Sequence, residues 1–438
     1  MSARQTALNV LIACRKDGGW SNGVLKEYLV RDRLDRRDGA LATRLCYGVL
    51  QNRGYLDFYL QQLLTGSIKK LHPALRDILH LGLYQIYLMD KIPESAAVHE
   101  SVELAKQYCK KQPSAPGLVN GVLRNAVRTK GTLKEPVSWE DKYSHPADII
   151  NLLKGYVGKE RTEPMLRANN QIPPMTVQVN TLKITPQALT AQLEEEGVTA
   201  EPHGWLAGCL VLTGTGNIEQ LHSFREGLFY VQDPAARLSV LCADLTEDTR
   251  QVLDCCAAPG GKSFAAAMGM AGKGSIISCD VYPHKAELIG KGAERLGLDN
   301  ITPMVQDATV FCPRWENAMD AVIADVPCSG YGIIRKKPDI RYKNLQDMAQ
   351  LPQLQEKILC NAARYVKPGG LLLYSTCTLV RAENEAVVEK FLQTHSEFTT
   401  EPLPLPANFP KNDSGMLALV PGEYDTDGFF ICRLRRAI

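Results

Sequence analysis

The sequence predicts a multidomain protein, with an all-α bundle first, then a small α/β extension, then a doubly wound α/β domain built on a mostly parallel sheet. Three observations carry this reading. Residues 1–130 repeat apolar positions at helical spacing without a convincing strand; strands and helices alternate from about residue 250 onward; and four strands there each run into an acid, at Asp254, Asp280, Asp307 and Asp325. A length of 438 residues also exceeds one ordinary domain and suits two or three.

In the first third, Ala7, Val10, Leu11 and Cys14 share one helical face. Ala42, Leu45, Cys46, Val49 and Leu50 share another, and Leu75, Ile78, Leu79, Leu83 and Ile86 a third. Breaks are expected at Gly18-Gly19, Thr65-Gly66, Lys91 to Pro93 and Pro113 to Gly117. Leu11-Ile12-Ala13-Cys14 imitates a lipoprotein cleavage box, but the apolar stretch before it spans only about seven residues and contains Asn9, so an amphipathic helix is the better reading. No run approaches membrane-spanning length.

This third is basic. Residues 1–137 hold 21 Lys and Arg against 12 Asp and Glu, net +9, in a chain whose overall charge is +2. A polyanion partner and a merely solvated basic surface both account for that. The 13 cysteines are scattered with no C-x-x-C pair, which argues against a disulfide framework and a thiolate metal site and points to a reduced, cytoplasmic setting.

Residues 130–139, holding Gly131 and Pro136, read as a linker after a first domain of residues 1–130. Asp141 to Asn170 looks helical, Met175 to Thr181 a strand, Pro186 to Glu196 a helix, and residues 210–212 and 228–231 short strands. Residues 138–240 therefore form the extension, and 241–438 the large α/β domain.

Gln251 to Ala267 opens that domain as strand, turn and helix, with Pro259, Gly260 and Gly261 making the turn. Such a turn presents bare backbone at the positive end of a helix. It lacks the spaced glycines of a dinucleotide fingerprint, and Cys256 stands where a phosphate loop needs glycine, so Gly261-Lys262-Ser263 only imitates one. A nucleotide-like ligand without a phosphate at the turn fits better, and S-adenosylmethionine is the candidate. Asp280 closes the next strand about twenty residues on, where doubly wound folds place a carboxylate on ribose hydroxyls.

Two cysteines reach the same sheet edge: Cys328 in Asp325-Val-Pro-Cys-Ser-Gly330 after the fourth strand, and Cys377 at the end of the buried run 371–378, which Lys367-Pro-Gly-Gly370 announces. A lone cysteine at a strand end is usually a small hydrophobe, but two beside such a turn are harder to dismiss. DCCAAPGGK, DVPCSG and YSTCT resemble the signature of RNA (cytosine-5)-methyltransferases. The helical third, with residues 93–100 (PESAAVHE) and 119–124 (VNGVLR), resembles the NusB-type RNA-binding domain. Together with GIIRKKPDIRY, the chain is similar throughout to the bacterial Fmu/Sun (RsmB) 16S ribosomal RNA enzymes.

That resemblance implies a Rossmann-like class I methyltransferase domain and methylation of C5 of a cytosine in 16S rRNA. It implies Cys377 as nucleophile, Cys328 as the thiol assisting release, and Asp325 on the cytosine edge. The implied cofactor contacts are Cys256, Ala257, Ala258, Pro259, Gly260, Gly261 and Lys262 for the methionine portion, Asp280 for ribose, Asp307 for the adenine amine, and Asp325 near the sulfonium. Tyr331, Gln178 and Asp148 depart from the family pattern. The basic stretch with Arg335, Lys336, Lys337, Arg341 and Lys343 follows Cys328 directly and is expected to hold phosphates around a flipped base. No metal, no membrane and no obligate protein partner are expected, and the chain is expected to act as a monomer. Two alternatives stay open: a DNA cytosine-5 methyltransferase, in which the proline-cysteine thiol would attack, and a non-catalytic RNA-binding assembly factor.

Overall fold

The computed structural model describes residues 1–17 and 21–438, so the break expected at Gly18-Gly19 lies outside the described residues. The chain divides into two compact units, residues 1–171 with 334–343, and residues 172–333 with 344–438.

The first unit is helical among the described residues: α1 (Ala3–Asp17), α2 (Ser21–Asp32), α3 (Arg36–Gln51), α4 (Arg53–Leu63), α5 (Pro73–Leu88), α6 (Glu94–Tyr108), α7 (Ala115–Arg128), α8 (Trp139–Tyr143), α9 (Ala147–Val157) and α10 (Lys159–Ala168). Helix α5 is its hub, buried from Ala74 to Ile86 except at Arg76. A helix so enclosed must pair its polar groups. Asp77 accepts from Arg15 Nη2 at 2.9 Å, and His80 Nε2 lies 2.7 Å from Asp57, whose carboxylate also accepts from Arg76. Pro116 and Gly117, expected in a break, lie instead in the first turn of α7, where proline's missing N–H has no helical partner to lose.

This unit runs past residue 130. Tyr55 N donates to Ser144 Oγ at 2.9 Å and Gln51 Nε2 to Asn169 O at 3.2 Å, which joins α3 and α4 to the segment containing α8–α10. The helical stretch read over 141–170 is divided by Ser144 (φ 56°) and Gly158 (φ 84°).

The same unit takes in Ile334–Lys343, and here one expectation is corrected. Arg341, read as a phosphate contact, is fully buried. Its Nη1 donates to the carbonyls of Gln51 (2.9 Å), Tyr143 (3.2 Å) and Ser144 (3.2 Å) and to Asn170 Oδ1 (2.9 Å), while Nη2 reaches Asn169 O (3.3 Å). Tyr342 OH donates to Leu50 O and Ser21 Oγ to Asp339. Charge density cannot distinguish a solvated arginine from one whose forked donors gather buried carbonyls. Arg335 is also buried, whereas Lys336, Lys337 and Lys343 are half-buried.

The second unit opens with β1 (Met175–Val179), α11 (Pro186–Glu195), β2 (Thr199–Pro202), β3 (Cys209–Thr213), α12 (His222–Arg225) and β4 (Phe229–Val231). The strands form an antiparallel sheet in the order β2-β3-β1-β4, over a core that includes Val177, Leu189, Leu193, Leu210 and Phe229. After α13 (Pro234–Leu241) come β5 (Gln251–Asp254), α14 (Gly261–Gly269), β6 (Ser275–Asp280), α15 (Pro283–Leu296), β7 (Ile301–Val305), β8 (Met319–Asp325), α16 (Leu351–Ala363), β9 (Val366–Thr376), α17 (Glu385–Thr394), β10 (Phe398–Thr400), β11 (Met416–Leu419) and β12 (Phe429–Arg436).

The large sheet has eight strands in the order β10-β12-β9-β8-β5-β6-β7, with β11 also paired to β12. Strands β5 to β9 run parallel, and β12 closes the sheet antiparallel to β9. The chain leaves β5 in one direction for β6 and β7 and in the other for β8 and β9, so the switch point, where such sheets bind ligands, falls between β5 and β8. The Lys367–Gly370 turn expected before β9 lies inside that strand: Met319 faces Val366 but Ala321 faces Leu371, a bulge that the glycines permit.

Candidate active site

At the switch point the strand ends divide into brace and site. Asp254, closing β5, is fully buried and accepts from Ser263 Oγ at 2.8 Å, and Ser263 Oγ meets Ser278 Oγ at 2.7 Å. Burial, opposed by Ser263 and Lys262, pushes its carboxyl up to about 7. Asp254 thus ties β5 to α14 and β6. The turn above it requires glycine at 260, where φ is +113° and an added Cβ would lie 2.4 Å from the Phe264 ring.

Asp280 and Asp307 open on a cavity of about 420 Å³, lined also by Cys256, Tyr282, Gln306, Thr309, Pro327, Leu354 and Ile358. That volume suits a nucleoside-sized ligand. Asp280 Oδ1 accepts from Tyr282 N at 3.1 Å and its Oδ2 stands 3.9 Å from Lys285 Nζ, so the carboxylate keeps acceptor capacity. Asp307, two residues beyond β7, accepts from Thr309 N and Oγ1, and those bonds hold its pKa below the usual carboxylate value. Ala257 to Lys262 do not line this cavity, although Ala257 N donates to Cys279 O at 2.8 Å, which holds the turn beside the β6 end. A larger cavity of about 580 Å³ lies between α6 and α7, lined by Glu94, His99, Lys106 and Arg124 among others; it collects none of the strand-end acids or thiols, so size does not mark the site.

Asp325, closing β8, accepts from Lys262 Nζ at 2.6 Å and from Ser375 Oγ at 2.8 Å. Burial pulls the Lys262 ammonium down, but Asp325, Asp254 and Cys377 outweigh it and keep it a cation. Cys328 and Cys377 meet at 3.3 Å, Sγ to Sγ. Cys377, first of all, and then burial push the Cys328 thiol well above the ordinary range. The two loops fit closely: Gly332 N donates to Cys377 O at 2.9 Å, and a Cβ at Gly332 would fall 2.0 Å from Gly428 O.

The structure therefore gathers Cys256, Asp280 and Asp307 at one cavity and Lys262, Asp325, Cys328 and Cys377 at one cluster. Sequence reasoning missed the apolar wall of Pro327, Leu354 and Ile358, since α16 carries no ligand-binding motif. It also missed Gln355, Glu383 and Asn384, which hold the thiol loops and carry no signal short of their tertiary contacts.

Family models place residues 1–128 with the NusB family, 145–219 with the ferredoxin-like domain of RsmF/B-like methyltransferases, and 241–435 with 16S rRNA methyltransferase RsmB/F. The chain is 37% identical over 447 residues to the probable ribosomal RNA small subunit methyltransferase B of Bacillus subtilis, covering 99% of each. It belongs to this family of rRNA methyltransferases. To ribosomal RNA small subunit methyltransferase B of Vibrio cholerae it is 33% identical, over 91% of this chain and 90% of that one. The solved structure of PH0851 superposes with a TM-score of 0.80 at 27% identity, over 98% of both chains. As a member, the chain is an S-adenosylmethionine-dependent enzyme with a NusB-like helical domain and a Rossmann-like catalytic sheet. The NusB match stops at 128, whereas the compact helical unit continues to Gln171. Among the described residues no helix is long and apolar enough to cross a membrane.

Proposed function

We propose that this enzyme methylates C5 of a cytosine in 16S rRNA through a covalent adduct, with Cys377 as nucleophile and Cys328 assisting release. The observation that carries the reading is the thiol pair, 3.3 Å apart at the switch-point edge. C5 of cytosine is a poor nucleophile; a bond from Cys377 Sγ to C6 turns the ring into an enamine with its electron pair available at C5. When bound, S-adenosylmethionine supplies an electrophilic methyl group. The neighbouring Cys377 and burial keep the proton on Cys328 until the attack on C6 has taken place. Adduct formation engages the Cys377 sulfur, so Cys328 can release its proton to water and then take the C5 proton. The C5–H electrons restore the C5–C6 double bond, Cys377 departs, and Cys328 is again a thiol. Asp325, held by Lys262 and Ser375, accepts from the cytosine edge and favours the protonated adduct.

The lining suits the cofactor: Asp280 would take the ribose hydroxyls, Asp307 the adenine amine, and Leu354 and Ile358 would pack against the base. The Cys256–Lys262 backbone and Asp325 hold the methionine end. We assign RNA anchoring to the net +9 of residues 1–137. In the segment 335–343 the phosphate-binding role falls to Lys336, Lys337 and Lys343, with the enzyme acting as a cytoplasmic monomer. Incubation of variants with rRNA tests the assignment. Cys328→Ala should accumulate a protein–RNA band that survives denaturing electrophoresis, while Cys377→Ala should give neither band nor methylation. The opposite pattern would reverse the two roles and favour the DNA-enzyme arrangement.

A further inference from the structure

Adjacent residues Glu383 and Asn384 each clasp one of the thiol loops. Asn384 brackets Cys377: its Oδ1 accepts from Thr376 Oγ1 at 2.6 Å and its Nδ2 donates to Thr378 O at 3.0 Å, on either side of the cysteine. Glu383 clasps Cys328. Its Oε2 accepts from Ser329 N at 2.9 Å and from Gln355 Nε2 at 2.9 Å, and the same Gln355 nitrogen donates to Pro327 O at 2.9 Å. A bond between Ser329 Oγ and Thr378 Oγ1, 2.6 Å, then joins the residue after one thiol to the residue after the other. Tyr374 OH, from β9, donates to the Glu383 carbonyl at 2.6 Å and holds the pair against the strand.

Ordinary packing does not account for these choices. Glu383 is 3% exposed, yet the donors to its carboxyl group are a backbone N–H and an amide rather than a cation, so a costly polar group is buried on the loop that carries Cys328. Asn384 occupies the N-cap position of α17, but its side chain makes no cap bond and turns to the Cys377 strand. Asparagine at that position ordinarily caps. Both side chains give up their usual stabilising roles to hold the flanks of two cysteines that lie 49 residues apart in sequence.

We propose that Glu383 and Asn384, with Gln355, are positioning residues that set the separation and alignment of the Cys328 and Cys377 sulfurs. This rests on the two-thiol reading of the site, but thiol alignment can be measured without RNA. Diamide oxidises two neighbouring thiols to a disulfide, with both thiol hydrogens passing to the reagent, and peptide mapping isolates the Cys328–Cys377 bond from those of the other cysteines. In the full-length enzyme this pair should oxidise quickly. Asn384→Ala and Glu383→Ala should slow its formation at least tenfold and lower the single-turnover methylation rate by as much or more, since small misplacements of reacting groups cost large factors. Affinity for S-adenosylmethionine, measured by calorimetry, should stay within twofold. Asn384→Asp, which keeps the acceptor and loses the donor, and Ser329→Ala, which removes only the hydroxyl bridge, serve if the alanine variants fail to fold. Folded variants that form the disulfide at the wild-type rate would overturn the proposal, whatever happens to methylation. Slowed pairing with methylation intact would leave the positioning standing and count against the two-thiol chemistry.

Discussion

Replacing Arg341 with alanine should destabilise the helical unit by about 3–5 kcal/mol and leave the salt dependence of RNA binding unchanged. The guanidinium has five acceptors within 3.3 Å, four of them on Nη1, whose two hydrogens cannot serve all four fully. The two contacts at 2.9 Å, to Gln51 O and Asn170 Oδ1, are therefore counted as strong and the rest as weak. Hydrogen bonds to a charged group contribute roughly 1.5–3 kcal/mol each, so two give about 3–6. Relief of guanidinium burial, the same burial that pulls its pKa down to about 10, offsets part of this. The Ser144 carbonyl, which loses its donor, acts in the opposite direction, whereas those of Tyr143 and Asn169 keep Asn170 Nδ2 and Gln51 Nε2. Amide hydrogen exchange in α3 and α8–α10, read against urea, measures the loss, and Arg341→Lys should show an intermediate one. A phosphate contact behaves differently: its removal lowers the slope of log K against log salt by about 0.7–0.9. An Arg341→Ala enzyme of unchanged stability with a slope reduced by that amount would refute the burial argument.

Three further outcomes follow from the same contacts. Deleting residues 1–130 cuts through the first unit, and deleting 1–171 removes the partners of Ile334–Lys343, so trypsin should cleave after Arg335 and Lys336 in a 172–438 protein and spare those sites in the intact chain; equal cleavage in both would mean the segment is not held by the helical unit. Asp254, with an ordinary pKa of 3.8 raised to about 7 by burial, contributes stability that is full below about pH 4 and lost as pH rises through 7, up to roughly 4 kcal/mol. Asp254→Asn should abolish that decline in denaturant titrations from pH 4 to 8, and a wild-type-like decline in the variant would assign it to another group. Asp280→Ala should weaken S-adenosylmethionine binding at least tenfold, about 1.4 kcal/mol, in calorimetry, and an unaltered affinity in the folded variant would move the ribose elsewhere.

The parts of this protein that the sequence by itself determined are those whose physics is local. Helical periodicity exposed α3 and α5, the Pro259-Gly260-Gly261 turn exposed the junction of β5 and α14, and apolar runs ending in an acid or a cysteine located the ligand edge of the sheet. Asp280, Asp307, Asp325, Cys328 and Cys377 could be picked out because strand ends of a parallel sheet share one edge however long the connections between them. Tertiary structure decided what depends on partners distant in sequence. Arg341 and Lys343 sit in one basic run, but Arg341 meets the carbonyls of residues 51, 143, 144 and 169, between 172 and 290 positions away, and becomes a buried brace. The compact helical unit runs on to 171, past residue 128 where the NusB match stops, for a related reason: the bonds that join α8–α10 to α3 and α4 are non-local. Glu383 and Asn384 look like an unremarkable polar pair before a helix, and acquire a role only where the folded chain sets Ser329, Thr376 and Thr378 against them. A hydrogen-bonding side chain carries its donors and acceptors in its chemistry, but which buried group it satisfies is settled only when the chain closes around it.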